Sequence, residues 1–301
     1  VMSGKGGVGK SIVSANLAVA LANRGYSVAV MDSDLHGPSI PSILGVDGAR
    51  LKYGPGGIIV PPQGPLGIKI VSSVFLMSED NAITWLSDLK RNAQELFLDS
   101  ADFGYLDYLI IDMPPGTGSE TVNLLKYLPQ IKGVVVVTMP SDITEQVVRR
   151  CITLCQKAKA PIIGLIENMS GYICPNCGEA YMLEHGSGEI LAQEAGVTFL
   201  GKIARDPLIV NAADKGVSFL LEYPDSESSE GFLNIVTKIE EKVGSKGRKV
   251  SVETHHEPEE NQLLKILEIN VGDSCYGKSC YKCNKYFQCT YSKQFDEIRV
   301  R

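Results

Sequence analysis

The sequence predicts an α/β fold, with a mostly parallel sheet that carries helices on both of its faces. Strand-like and helix-like segments alternate along the chain, and the strand-like segments are continuously apolar. Continuous apolar runs are typical of parallel strands, because such strands are buried on both faces. Ligands of these sheets bind at the carboxyl ends of the strands, so we expect the functional residues in the loops that follow them.

The predicted segments follow one another in a regular order. Residues 1–2 are interpreted as the end of a strand, and residues 12–23 as a buried helix. The later strands are expected at residues 26–32, 108–112, 133–138, 161–167 and 197–203. The later helices are expected at residues 81–98, 142–158 and 230–243. Glycine and proline are frequent over residues 45–65, and residues 58–60 and 68–71 predict a short β excursion there.

Three regions are predicted along the 301 residues: a core domain (1–243), a charged linker (244–261) and a cysteine-rich tail (262–301). The net charge of −6 argues against a nucleic-acid or membrane-surface partner. No apolar run approaches the roughly 20 residues that span a bilayer. No secretory signal is recognised either, so the sequence predicts a cytoplasmic protein with reduced cysteines.

A glycine-rich motif follows the first strand. Residues 3–11, here called the phosphate loop, read SGKGGVGKS and fit the pattern G-x-x-x-x-G-K-[ST], with Lys5 as an additional lysine. Its glycines let backbone N–H groups point at phosphate oxygens, Lys10 reaches the β- and γ-phosphates, and the Ser11 hydroxyl binds Mg²⁺. The motif therefore predicts ATP binding by Gly4, Lys5, Gly6, Gly7, Val8, Gly9, Lys10, Ser11 and Ile12.

Three aspartates lie at the ends of two other predicted strands. Asp32 and Asp34 follow one strand, where an acid polarises the attacking water or holds Mg²⁺ through its waters; the sequence leaves open which of the two does so. Asp112 is typical of the acid on the Mg²⁺ side of such sites, and residues 113–118 suit a loop that senses the γ-phosphate. The alternative for each acid is helix capping.

Two further polar residues are candidates for contacting the base of the nucleotide. Asn168 comes directly after the strand expected at residues 161–167, and Asp206 lies in the sequence ARDP. The alternative for both is an ordinary turn residue.

Two groups of cysteines are candidate metal ligands. Cys174 and Cys177 form a CxxC, which supplies two thiolates on one turn, half of a four-thiolate site. Two copies from a symmetric dimer would supply four ligands on the twofold axis. The bound species is an iron–sulfur cluster or zinc, or the pair is redox-active. Cys151 and Cys155 lie on one face of a predicted helix and are assigned to the core.

Four segments together resemble the Mrp/ApbC family of iron–sulfur cluster carrier ATPases: KGGVGKS, DSDLHGPSIP from residue 32, IIDMPPGTG from residue 110 and ENMSGYICPNCGE from residue 167. That family belongs to the deviant-Walker P-loop ATPases, with nitrogenase iron protein and MinD/ParA. The resemblance covers residues 1–243. The GPSIP after Asp34 and the CPxC after Asn168 distinguish the carrier branch from the rest of the class.

The resemblance implies a homodimeric ATPase whose slow, switch-like hydrolysis serves the delivery of a [4Fe–4S] cluster to apo-proteins. It implies that Lys5 crosses the dimer interface to the partner's nucleotide and that Asp34 acts on the hydrolytic water. It also implies that Cys174 and Cys177 bind the cluster. The candidate catalytic residues are then Lys5, Lys10, Asp34 and Asp112, with ATP and Mg²⁺ as cofactors.

The tail carries a second cysteine cluster, and its last three positions are similar to the ferredoxin-like set at the N-terminus of eukaryotic cytosolic relatives. Four cysteines within fifteen residues suit one metal site on a small module. A second iron–sulfur cluster, zinc, and disulfides or no metal all remain open. The candidate ligands are Cys275, Cys280, Cys283 and Cys289.

Two other functional classes fit parts of the sequence. A MinD/ParA-like positioning ATPase with a structural zinc at the CxxC would need a terminal amphipathic helix or a basic surface. Residues 231–243 are amphipathic but carry mixed charges, and we interpret them as the closing helix of the core. A nitrogenase-like reductase would need cysteines near Asp112, and the sequence has none there.

Overall fold

The computed structural model describes residues 1–55, 58–76, 94, 97–128, 131–140, 142–175, 177–182 and 187–244. Within these residues the predicted α/β fold with a mostly parallel sheet is confirmed. The cysteine-rich tail and residues 245–261 of the linker lie outside the described residues. So does most of the helix expected at 81–98, of which the described residues, 94, 97 and 98, are helical.

The strands and helices alternate as the sequence predicts. The strands are β1 (Met2–Ser3), β2 (Val28–Asp32), β3 (Lys52–Tyr53), β4 (Ile59–Val60), β5 (Lys69–Ser72), β6 (Tyr108–Asp112), β7 (Val134–Thr138), β8 (Ile162–Ile173), β9 (Ala180–Met182) and β10 (Phe199–Arg205). The helices are α1 (Lys10–Asn23), α2 (Ile40–Ile43), α3 (Ser119–Tyr127), α4 (Asp142–Lys157), α5 (Ser187–Glu194), α6 (Pro207–Asp214), α7 (Phe219–Glu222) and α8 (Glu227–Val243).

Two parallel sets of strands make up the central sheet. One set has the order β5-β2-β6 and the other the order β1-β7-β8-β10, with β9 added antiparallel to β8. Val1 N donates to the Ile111 carbonyl (2.7 Å), and Met113 N donates to the Val1 carbonyl (3.0 Å), so β6 lies beside β1. The carboxyl ends of β1, β2, β6 and β8 therefore meet at one edge, where the predicted site residues are concentrated.

Burial explains why these segments form these elements. Every residue of β2 and of β7 is buried, as expected for parallel strands covered on both faces. Helix α1 is buried over nearly its whole length, which matches its apolar sequence. Helix α8 buries its apolar side and packs against β10 and α1, so the interpretation of residues 231–243 as a helix of the core is confirmed.

Strand β8 is longer than the sequence predicts. It runs from Ile162 to Ile173, six residues beyond the expected end at 167. β7 pairs with β8 only as far as Glu167, and the rest of β8 pairs with β9 and with the end of β10. Ser170 in this extension is buried although it is polar, so continuous hydrophobicity does not reveal where this strand ends.

Cys151 and Cys155 lie in the core, as the sequence predicts. Both are fully buried on α4, and the Cys155 thiol lies 3.8 Å from the Met2 sulfur. The hydrogen bond to Cys155, together with burial, raises the pKa of the Cys151 thiol. Because both side chains are fully buried, neither cysteine is placed as a reactive thiol. Among the described helices, none is both long and apolar enough to cross a bilayer.

Candidate functional site

The phosphate loop connects β1 to α1 and is shaped by glycines in the left-handed region. Gly7 and Gly9 both have φ of 80°, a conformation that is costly for residues with a Cβ. Helix α1 has Gly9 as its N-cap, no side-chain cap and no acid in its first turn. Among the described residues, no acceptor takes a hydrogen bond from the amides of residues 5–9. These amides and the positive end of α1 are thus available to an anion.

The Asp112 carboxylate contacts several side chains of α1. Its Oδ2 lies 2.7 Å from Lys10 Nζ and accepts a hydrogen bond from Ser11 Oγ (2.6 Å). Asp112 is fully buried and Lys10 is 6% exposed, so this ion pair is shielded from water. Lys10 Nζ makes no aligned hydrogen bond within the described part of the chain, which leaves its protons for an acceptor such as a phosphate oxygen.

Ser14 belongs to the same cluster, and the sequence analysis missed it. Its Oγ lies 2.6 Å from Asp112 Oδ1 and 3.0 Å from the Lys10 carbonyl, and the residue is fully buried. The available signal was a hydroxyl one helical turn after Lys10 inside an otherwise apolar helix. Gln94 was missed as well; it is buried and donates from Nε2 to the Ser33 carbonyl (2.9 Å).

The carboxylate of Asp32 is buried and bound by backbone amides. It is 1% exposed and accepts hydrogen bonds from the amides of Asp34 (3.1 Å), Ser39 (2.9 Å) and Ile40 (3.1 Å). Burial, together with the negative charge of Asp112, raises the pKa of Asp32 to about 7, against the opposing effect of the amides. Asp32 therefore holds residues 33–40 to the end of β2.

Asp34 lies in a more open environment than Asp32. It is partly exposed, and its Oδ1 accepts from the amides of His36 and Gly37, both at 3.2 Å. His36 Nε2 lies 3.4 Å from Glu120 Oε1 at the start of α3, which connects this loop to the one after β6. Asp34 is consequently the more accessible of the two acids at this strand end.

Residues 113–118, after β6, lie against the phosphate loop. The Gly116 amide donates to the Ser3 carbonyl (3.0 Å), and a Cβ on Gly6 would lie 3.9 Å from Pro115 Cβ. Thr121 Oγ1 donates to the Gly116 carbonyl (3.1 Å), which fixes the far side of the turn. Residues 113–118 are therefore in direct contact with the phosphate loop, and their role in sensing the γ-phosphate stays a prediction.

Asn168 lies inside β8 and directly beneath the phosphate loop. It is 6% exposed, and its Nδ2 donates to the Val8 carbonyl (2.9 Å). A Cβ on Gly9 would stand only 2.2 Å from this nitrogen, so the loop and the amide require a glycine between them. The contact of Asn168 with a base stays a prediction.

Asp206 caps a helix. It is 3% exposed, is the N-cap of α6, and its Oδ1 accepts from the Leu208 amide (2.9 Å). Its contact with a base also stays a prediction. Lys5 is half-buried in the phosphate loop, with its carbonyl accepting from Ser3 Oγ (3.0 Å).

Cys174 and Cys177 lie on the turn between β8 and β9, here called the cysteine hairpin (residues 171–182). The Gly178 amide donates to the Cys174 carbonyl (2.8 Å), and the Cys174 amide donates to the Glu179 carbonyl (3.0 Å). Cys174 is half-buried and Cys177 is exposed. Within the described residues, no three His, Cys, Asp or Glu side chains are grouped closely enough to hold a metal ion. The tail cysteines lie outside the described residues.

Sequence comparison agrees with the geometry of the phosphate loop. The family model for ParA, described as NUBPL iron-transfer P-loop NTPase, matches residues 1–240. The chain belongs to this family. An iron–sulfur cluster carrier protein of Saccharolobus solfataricus is 45% identical over 241 residues, which cover 79% of this chain and 81% of that protein. One of Methanocaldococcus jannaschii is 42% identical, with 82% and 84% covered.

Solved structures show the same P-loop NTPase architecture. A nucleotide-binding protein from Archaeoglobus fulgidus, in complex with ADP, is 36% identical with a TM-score of 0.64, and the match covers 73% of this chain and 86% of that one. The MinD protein of Pyrococcus horikoshii, with Mg-ADP, has a TM-score of 0.61 at 22% identity and covers 82% of this chain and 97% of its own. This second likeness concerns the fold alone.

Proposed function

We propose that this protein is an ATP-dependent carrier of iron–sulfur clusters. Two copies bind a [4Fe–4S] cluster between their cysteine hairpins, and slow, switch-like hydrolysis of ATP governs its transfer to apo-proteins. Membership of the iron-transfer family supports the cargo, as do relatives named iron–sulfur cluster carrier proteins. The observation that carries the proposal is a complete phosphate loop joined by one strand, β8, to an accessible pair of thiols.

The nucleotide chemistry rests on the residues around Asp112. The amides of the phosphate loop bind the phosphates, and Lys10 moves its charge from Asp112 toward the β- and γ-phosphate oxygens. The Ser11 hydroxyl and the Asp112 carboxylate, 2.6 Å apart, are the hard oxygen donors that Mg²⁺ prefers, so these residues fit the ion. When bound, Mg²⁺ neutralises charge on the phosphates.

Asp34 is the better candidate for orienting the hydrolytic water. The two oxygens of Asp32 already accept three backbone amides and are buried. Asp34 is partly exposed and uses one oxygen in a local turn, which leaves the other for a water. Lys5, half-buried at the start of the phosphate loop, is proposed to reach the nucleotide of the partner copy.

The number of thiols argues for two copies around one cargo. A four-thiolate site needs four cysteines, and the hairpin of one chain provides Cys174 and Cys177. A twofold axis through the cluster doubles this number without any further ligand. ATP-driven repacking of the two copies would then change the distance between the thiol pairs and the strength with which they hold the cluster.

The test is anaerobic reconstitution of the full chain with iron and sulfide, followed by metal and sulfide analysis, EPR or Mössbauer spectra and sedimentation. We expect a dimer with one cluster on the hairpins. The double variant Cys174→Ala, Cys177→Ala should lose that cluster. The matched control replaces Cys275, Cys280, Cys283 and Cys289 with alanine and should retain it. A colourless wild-type protein with stoichiometric zinc would contradict the proposal.

A further inference from the structure

The backbone of β8 is irregular between the phosphate loop and the cysteine hairpin. Met169 has φ of 57°, in the left-handed region that a bulky side chain occupies only when its surroundings impose it. The strand register breaks at the same place: from Ile203 to Arg205 β10 advances two residues, while β8 advances four, from Asn168 to Tyr172. The strand is therefore bulged at Met169 and its two successors.

This bulge lies against the phosphate loop. A Cβ on Gly9 would stand 3.6 Å from the Met169 Cε as well as 2.2 Å from Asn168 Nδ2. Asn168 Nδ2 is bonded to the Val8 carbonyl (2.9 Å). Asn168 and Met169 therefore both lie against Val8 and Gly9. Successive side chains of a regular strand point to opposite faces, and the left-handed backbone at Met169 lets these two reach the same loop.

The other end of the bulged segment is the cysteine hairpin. Tyr172 pairs with Tyr181 and Ile173 with Ala180, and Cys174 follows at once. Cys174 is the sixth residue after Asn168, so at most about 20 Å of extended chain joins them. Ser170 Oγ donates to the Ile203 carbonyl (3.2 Å), so the bulge is attached to β10 at one point between its ends.

We infer that Met169 is a positioning residue that couples the phosphate loop to the cysteine hairpin through the bulge of β8. Binding of phosphates tightens the loop around Val8 and Gly9. Asn168 and Met169 transmit that displacement to β8. The bulge then changes the position of the cysteine hairpin. The inference rests on the proposed function only in assigning the hairpin to the cluster.

The test reads the thiols of the full-length apo-protein and needs no iron. N-ethylmaleimide is added without nucleotide, with Mg-ADP, and with a non-hydrolysable ATP analogue at saturating concentration, and the alkylation rate of Cys177 is followed by peptide mass spectrometry. We expect nucleotide to change the wild-type rate by about fivefold or more, the low end of ordinary coupling between two sites. The buried Cys151 serves as an internal reference for unfolding.

Variants at the bulge test whether the effect of nucleotide on Cys177 alkylation passes through it. Met169→Gly removes the side chain and the left-handed constraint, and should bring the ratio of rates with and without nucleotide close to one. Asn168→Ala should do the same and reports on the coupling even if Met169→Gly does not fold. Met169→Leu, which retains bulk, should keep most of the ratio.

Lys159→Gly is the matched control. Lys159 is exposed and also left-handed, with φ of 55°, in the turn before β8, so its replacement relieves the same constraint away from the phosphate loop. Its ratio should equal that of the wild type. The inference is overturned if nucleotide leaves the wild-type rate unchanged, or if Met169→Gly and Asn168→Ala keep the full ratio at saturation. Because no cluster is present, failure of cluster assembly would leave this result intact.

Discussion

The phosphate-loop corner and the cysteine hairpin are built in opposite ways. Around Asp112, the buried Lys10 forms an ion pair with the carboxylate, and Ser11 and Ser14 donate hydrogen bonds to it, all within one chain. The hairpin is held by backbone hydrogen bonds around Cys174 and by a hydrogen bond from the Tyr181 hydroxyl to Glu179 Oε2 (3.1 Å); Cys174 is half-buried and Cys177 is exposed. The contacts around Asp112 are made within one chain, whereas the hairpin contributes two thiols, half of a four-thiolate site.

The two regions therefore differ in whether they must be assembled before a ligand binds. A buried ion pair must be assembled by the fold before any ligand arrives, because an unpaired charge there would destabilise the protein. Exposed thiols on a turn tolerate an absent ligand and can accept or release one at the surface. The proposed function requires this difference: a nucleotide site built within the chain, and a cargo site whose ligand can exchange, joined by β8.

The largest expected effect follows from Lys10→Ala. It removes the phosphate contact and leaves Asp112 as a buried, unpaired carboxylate. We expect ATP hydrolysis to fall by about 10²-fold or more. The nucleotide-free protein should lose about 3–5 kcal/mol of stability, measured by urea denaturation. Lys238→Ala, on the exposed side of α8, should stay within about 0.5 kcal/mol. Near-normal hydrolysis in Lys10→Ala would contradict the assigned role.

The pH dependence of stability comes next. The pKa of Asp32 is raised from 3.8 to about 7 by burial and by Asp112. The folded state thus holds the proton more tightly, so the contribution of Asp32 to stability is full below about pH 4 and is lost as the pH rises through about 7. The wild type should lose stability relative to Asp32→Asn over this window, at up to about 1.4 kcal/mol per pH unit. A pH-independent difference in denaturation would refute the assignment.

A smaller effect distinguishes the two kinds of cysteine. Cys151→Ser places a hydroxyl in the core and should cost about 1–3 kcal/mol, while reconstitution of the cluster on the hairpins is retained. Cys177→Ser changes an exposed side chain and should cost less than about 0.5 kcal/mol, while the cluster is lost. Thermal unfolding and iron content are measured on both variants. Loss of iron in Cys151→Ser, with iron retained in Cys177→Ser, would show that the thiols had been assigned wrongly.

The smallest effect tests the alternatives for Asp206. Asp206→Ala removes the N-cap of α6 and should cost about 1 kcal/mol, whereas Asp206→Asn, which also caps, should cost little. The KM for ATP decides whether the residue also contacts the base. A KM that rises in both variants indicates base contact, and an unchanged KM in Asp206→Asn indicates capping alone.

Much of the fold was predictable because parallel strands require continuous apolar runs. The strand at 108–112 was predicted to the residue, and the end of α8 at 243 likewise. β8 was predicted too short, since its last six residues include polar residues and a glycine and belong to the strand through pairing with β9 and β10 rather than through an apolar run. The core location of Cys151 and Cys155 followed from helical spacing and is confirmed.

The sequence by itself determined the phosphate loop, the acids at the strand ends and the CxxC, because each depends on residue types at short spacing. Only the tertiary structure decided that Ser14 and Lys10 both contact Asp112. It also decided that the Asp32 carboxylate accepts hydrogen bonds from backbone amides while Asp34 stays accessible, and that Asn168 donates to the Val8 carbonyl. The left-handed Met169 has no local signal at all. Such features depend on which strand ends meet at one edge of the sheet, and that arrangement is a property of long-range pairing rather than of any short segment.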